Sequence, residues 1–196
     1  MKRSVIHRTL ATFNDKYMEE LRIIGKPTIY GDLDFLDRFS FTNGRKFPTS
    51  YQKFVKRFGY GRVLGEWVIY IPMGDYGDSW NIRSEEIRST YYDDVIQGEL
   101  WFDLEPDGTI EIIKQLVPFA QSENGYYLFW NIASQPIINE FDIYITDFRG
   151  LGVRKVATSI DELIDKMIDK NRFNEVMPLF CQEPYSPIFE CIEELH

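Results

Sequence analysis

In residues 47–58, FPTSYQKFVKRF, apolar side chains fall at Tyr51, Phe54, Val55 and Phe58, the i, i+3, i+4, i+7 spacing of one helix face. Pro48, Thr49 and Ser50 stand where helices prefer to begin. Downstream, WVIYIPM is short, β-branched and aromatic, which predicts a strand around 67–73. Gly59, Gly61 and Gly65 lie between the two. A phosphate-binding glycine loop follows a strand and opens a helix, so that free N–H groups point at the anion. Here the order is reversed. The spacing is also one residue longer than the dinucleotide fingerprint, and no Lys-Ser/Thr pair follows. The glycines are expected to cap a helix and make a tight turn, with no nucleotide cofactor.

The same reading extends along the chain. Leu10, Phe13, Tyr17, Leu21 and Ile24 predict an amphipathic helix to about Ile24, ended by Gly25 and Pro27. DLDFLDRF predicts a second short helix, followed by an Asn43-Gly44 turn. After the 67–73 strand comes a loop, GDYGDSW, and then SEEIRSTYYDDV as a helix. Ser84 is its expected N-cap, with Glu85 and Glu86 at the positive end of the dipole. GELWFDL and TIEIIKQL flank EPDG, a hairpin signal. VPFA, then YYLFWNI after Glu123-Asn124-Gly125, then FDIYITDF continue an antiparallel sheet. Ser159-Ile-Asp-Glu162 is a capping box opening a helix with Ile160, Leu163, Ile164, Met167 and Ile168 on one face. From Asn171 onward the chain has three prolines and no clear period. The fold class expected is α+β, a largely antiparallel β-sheet with helices packed on one side.

Composition adds scale. With 196 residues, 44% hydrophobic and 16% aromatic, the chain reads as a single domain, 1–196, with a substantial core and no internal repeat. Charge is unevenly placed. Residues 1–74 carry 13 basic and 7 acidic side chains, residues 75–107 carry 2 and 10, and residues 108–196 carry 7 and 14. Such a balance disfavours direct nucleic-acid binding and favours a basic partner, although any single carboxylate serves solubility first. MKRSVIHRTLATF lacks a continuous apolar run and a small-residue cleavage site, and no stretch reaches transmembrane length. Cys181 and Cys191 are too few for a disulfide framework. The expected setting is cytoplasmic, away from the membrane.

Catalytic chemistry finds little footing. His7 and His196 sit near the termini, in no spacing that makes a zinc site or a Ser-His pair. Asp103-x-Glu105-x-Asp107-Gly108 mimics the start of a calcium loop, but its twelfth position is Lys114 where a bidentate glutamate belongs. No metal is expected. Asp75/Asp78 and Asp93/Asp94 are paired acids, yet adjacent residues on a helix point about 100° apart. The aromatics Trp67, Trp80, Trp101, Trp130, Tyr126 and Tyr127 are expected in the core for the most part. Trp80, within GDYGDSW, is the one placed to reach a surface cleft. Aromatics among acids have the character of a recognition surface.

Four stretches in order carry a resemblance to a known family. They are FPTSYQKFVKRFGYG, with Pro48, Tyr51, Phe54, Gly59 and Gly61; VIYIP, ending in Pro72; LVPFAQSENGYYLFW, with Pro118, Phe119, Asn124, Gly125, Leu128, Phe129 and Trp130; and ATSIDELI. Together they resemble the SUKH superfamily, in its Smi/Knr-like branch, over about residues 33–170. A helical extension, 1–26, and a tail, 171–196, lie outside that core, and Tyr126 stands where an acid often follows the Asn-Gly. The resemblance implies an α+β fold without catalysis. It also implies an immunity protein that binds and neutralises a cognate toxin, often a nuclease, of a bacterial polymorphic toxin system. The alternatives are a regulatory adaptor for an endogenous protein and a carboxylate-dependent hydrolase. On the leading reading the partner-binding residues are Asp75, Asp78, Trp80, Tyr92, Asp93 and Asp94.

Overall fold

The computed structural model describes residues 20–98, 102–178, 181 and 183–195. Within them one eight-stranded sheet is built from β1 (Arg22–Ile24), β2 (Gly61–Val63), β3 (Trp67–Ile69), β4 (Leu116–Ser122), β5 (Tyr127–Asn131), β6 (Asp142–Thr146), β7 (Arg154–Ala157) and β8 (Ile188–Cys191). The spatial order is β1-β8-β2-β3-β4-β5-β6-β7. Only the β1–β8 pair is parallel. Helices α1 (Leu33–Arg38), α2 (Thr49–Phe58), α3 (Trp80–Ile87), α4 (Asp93–Gln97), α5 (Ile110–Ile113) and α6 (Ile160–Ile168) complete the fold, with a π-helical turn, Arg88–Tyr92, joining α3 to α4. The class is α+β with a largely antiparallel sheet, as the sequence predicts.

Local chemistry accounts for most boundaries. Asp32 caps α1 by accepting from the Phe35 amide. Tyr51, Phe54, Val55 and Phe58 of α2 are all buried, so the predicted apolar face is the packed one. Gly59 ends α2 with φ +69° and ψ −147°, backbone that suits glycine, and a Cβ there would collide with the Ile29 carbonyl. Gly65, at φ +74°, sits in the three-residue turn between β2 and β3 beside Leu64, itself at φ +59°. The cap and turn expected of these glycines are therefore present, with β2 as an additional strand between them. In α6, Ser159 accepts from the Glu162 amide at 3.2 Å. The Glu162 carboxylate reaches back to the Thr158 amide and hydroxyl, one residue beyond the standard capping box.

The core is aromatic. Trp130 on β5 stacks on Phe119 at 4.4 Å and meets Tyr51 of α2 at 4.8 Å. Three residues along the same strand, Tyr127 faces the opposite way, to Tyr91 in the π turn and to Phe148. All five β5 residues are buried for this reason. Helices α2 and α6 pack together over the Trp130 face, and the π-helical segment adds cover on the other.

Four expectations are corrected. Residues 22–24 are strand, because Arg22 to Ile24 pair with Ile188 to Glu190 and tertiary hydrogen bonding overrides the helical period; the residues before 20 lie outside the described set. The EPDG hairpin does not form. Thr109 instead caps the Ile112 amide, Ile110–Ile113 make the single turn α5, and the strand starts only at Leu116. The helix around 84 begins four residues earlier, at Trp80, whose amide is tied to the Ile71 carbonyl, so Ser84 lies inside it. Lastly, the tail contributes β8, which lies between β1 and β2 and buries Phe189 completely.

Candidate functional site

The six residues expected at a partner surface fall on one segment, the turn 73–79 and the interrupted helix 80–97, but not on one spot. Trp80 opens the helix and Asp93 begins α4, thirteen residues later, which at helical rise is about 20 Å. Asp75 is exposed at the tip of the turn. Asp78 is engaged: it accepts from the Tyr60 hydroxyl at 2.6 Å and lies 3.6 Å from Arg83 Nε. Trp80 is 5% exposed, a core residue where the sequence suggested a loop, though one edge of it still lines a cleft. Tyr92 is half-buried under Arg88, whose guanidinium lies 4.9 Å from the ring centroid. Asp93 is exposed and Asp94 half-buried.

Around Asp78 the side chains form a polar cluster over β3 and β4. Arg83 reaches Glu86 at 2.8 Å, the Tyr70 hydroxyl at 3.4 Å and Gln121 Oε1 at 3.3 Å, and Tyr70 donates to that same oxygen at 2.9 Å. Burial works against the Arg83 charge, but Tyr70, Glu86 and Asp78 outweigh it and hold the guanidinium above its usual value. Burial and Asp78 together push the Tyr60 phenol well up. This cluster joins the helix 80–87 to the sheet, so Asp78 and Arg83 position the surface as well as charge it.

A second constellation was not foreseen. Glu140, just before β6, accepts from the Ser50 amide at 2.8 Å and from the Ser50 hydroxyl at 2.7 Å. Ser50 Oγ in turn accepts from the Ile160 amide at 3.1 Å. Burial drives the Glu140 carboxyl up to about 7 despite the two Ser50 bonds, with Asp161 adding to the rise and Lys53 opposing it. A carboxyl of raised pKa beside a serine and a second acid is the arrangement an acid–base mechanism would use. Access decides against it: Ser50 and Glu140 are each 2% exposed and Asp161 is 7% exposed. The group satisfies the first amides of α2 and α6, a structural task. The only sequence signal for it was Ser50 at the start of a helix.

The acids of the calcium-like loop are tied into the fold. Asp103 accepts from the Glu105 amide and Asp107 from the Lys155 amide. Trp101 lies outside the described residues, while Trp67 and Trp130 are buried. Among the described residues no helix is long and apolar enough to cross a membrane. No family model, curated protein or solved structure matches the chain.

Proposed function

We propose that this chain is a non-enzymatic binding protein that acts in the cytoplasm as an immunity protein, neutralising a basic toxin domain, such as a nuclease, by direct contact, as the SUKH resemblance implies. One observation carries the reading: the stretch 75–107, with 10 acidic and 2 basic side chains, contains an interrupted helix on which Glu85, Glu86 and Asp93 are exposed. A charged face of this kind accelerates encounter with a basic partner, and a nuclease is basic where it grips phosphate. Asp75, Asp93 and Asp94 supply steering in this reading. Asp78 acts chiefly by holding Arg83 and the helix.

The test is affinity capture with the tagged chain from its native cell, followed by co-expression of the captured protein. A basic protein whose toxicity the chain relieves supports the proposal. A captured protein whose toxicity or activity is unchanged by the chain, or one that the chain merely regulates, counts against the immunity role and favours an adaptor.

A further inference from the structure

We propose that the cleft between the turn 44–47, the start of α2 and the loop 133–139 binds a phosphate group carried by a small polar molecule. The site shares no residue with the 75–94 surface and does not depend on the reading given there. It encloses about 390 Å³, within the range of small-molecule sites. Two cations, Arg45 and Lys46, line it, and no acid does. The surroundings are the basic end of the chain, since residues 1–74 carry 13 basic and 7 acidic side chains.

Arg45 is half-buried and fixed in place. Its Nη1 donates to the Ile132 carbonyl at 3.2 Å and to the Ser134 carbonyl, and its Nη2 to the Glu140 carbonyl at 3.0 Å. The guanidinium also lies over the Phe141 ring, 4.1 Å from the centroid. All of these partners are uncharged. Burial accordingly pulls the guanidinium below its ordinary pKa, although an arginine stays protonated. Glu140 turns its carboxyl the other way, to Ser50. Of the five guanidinium N–H groups, the one on Nε and one on Nη2 keep no partner among the described residues. Side by side, they are the fork that grips two oxygens of one anion. Lys46 likewise donates to a main-chain oxygen, that of Asp37, whose carboxylate is held by Lys56.

Two cations without a counter-ion match the charge of a phosphate monoester, about −2 near neutral pH. The rest of the wall is polar. Gln52 donates to the Phe47 carbonyl, with its own side-chain oxygen unpartnered among the described residues, and the Gln135 and Asn139 amides are exposed. Such groups suit hydroxyls, so the ligand class is a phosphorylated polyol or sugar.

The experiment titrates the full chain with inorganic phosphate, glucose 6-phosphate and glucose at constant pH and ionic strength, following the Arg45 Nε–H by NMR. Both phosphates should give a saturable shift and glucose none, with glucose 6-phosphate binding about threefold tighter than inorganic phosphate. Arg45→Ala would also release three carbonyls, so the variant is Lys46→Glu, at an exposed site, which should weaken phosphate binding on the order of tenfold. Lys26→Glu, the same charge change at an exposed site outside the cleft, should alter it by less than about twofold. No saturable shift, a matching shift with glucose, or equal weakening by the two variants would overturn the proposal. Equal binding of the two phosphates would also overturn it, leaving an adventitious ion only.

Discussion

Ser50 and Glu140 form a closed pair: both hydrogen-bonding groups of the serine, amide and hydroxyl, meet the two oxygens of one carboxylate. The pair links the start of α2 to the strand β6, and through the Ile160 amide to the start of α6. A buried carboxyl in this position makes stability depend on pH. Its ordinary value is 4.5 and its folded value about 7. A raised folded value means the contribution is complete below about pH 4.5 and is lost as pH rises through about 7. The full loss is about 3 kcal/mol from a shift of this size. Urea unfolding between pH 4.5 and 8 should show this slope, and Glu140→Gln should flatten it. An unchanged slope in the variant would assign the pH dependence elsewhere.

Gly59 gives a conformational prediction. Its backbone lies where only glycine rests easily, and the Ile29 carbonyl occupies the space of a Cβ. Gly59→Ala should therefore destabilise by about 3 kcal/mol, whereas Gly44→Ala, at φ +79° with nothing near its Cβ, should cost about 1 kcal/mol. Thermal unfolding of the two variants distinguishes a collision from a simple turn preference.

Asp75 and Asp78, three residues apart, should separate in their effects. Asp75→Asn removes an exposed charge and should change stability by less than about 0.5 kcal/mol. Asp78→Asn weakens the Tyr60 and Arg83 contacts and should lower stability by about 1 kcal/mol. Both should slow association with a basic partner and flatten its salt dependence, measured by stopped flow. If Asp75→Asn leaves the salt dependence as it was, Asp75 does not belong to the interface.

Much of this arrangement was legible in the sequence where a local signal and a tertiary partner agree. The α2 face, the Asn124-Gly125 turn between β4 and β5, and the Ser159 cap all combine a strong period or turn with burial in the expected direction. Where no local signal exists, the sequence was silent. β8 is four residues directly after Pro184 and Pro187, and its strand character comes from β1 and β2 on either side. Ile110–Ile113 read as strand by propensity, yet Thr109 supplies a cap that turns them into α5. Charge along the chain marks the candidate surface, but it does not show how far apart the acids lie. A helix of known rise separates them, and the cleft beside Trp80 is walled by Phe35 and Phe39, residues 45 and 41 positions upstream that no local spacing connects to it.

Phe189 tests the weight of β8. It is wholly buried against Phe58 at 5.1 Å and Phe54 at 5.9 Å. Phe189→Ala should cost about 3–5 kcal/mol. Because, among the described residues, β1 pairs only with β8, hydrogen exchange at the Arg22–Ile24 amides should accelerate more than at β5. Equal acceleration at both would mean that the sheet opens as one unit.

The position of β8 also imposes an order on the protein's birth. The strand made last among those described is threaded between the two made first, β1 and β2. During synthesis the segment 22–24 lacks its strand partner β8, and the phenylalanines of α2 lack their Phe189 lid, until residues 188–191 leave the ribosome. The central strands can gather around Trp130 beforehand. The flank of the sheet closes only at the end, making the C-terminal segment the latch on a structure otherwise already assembled.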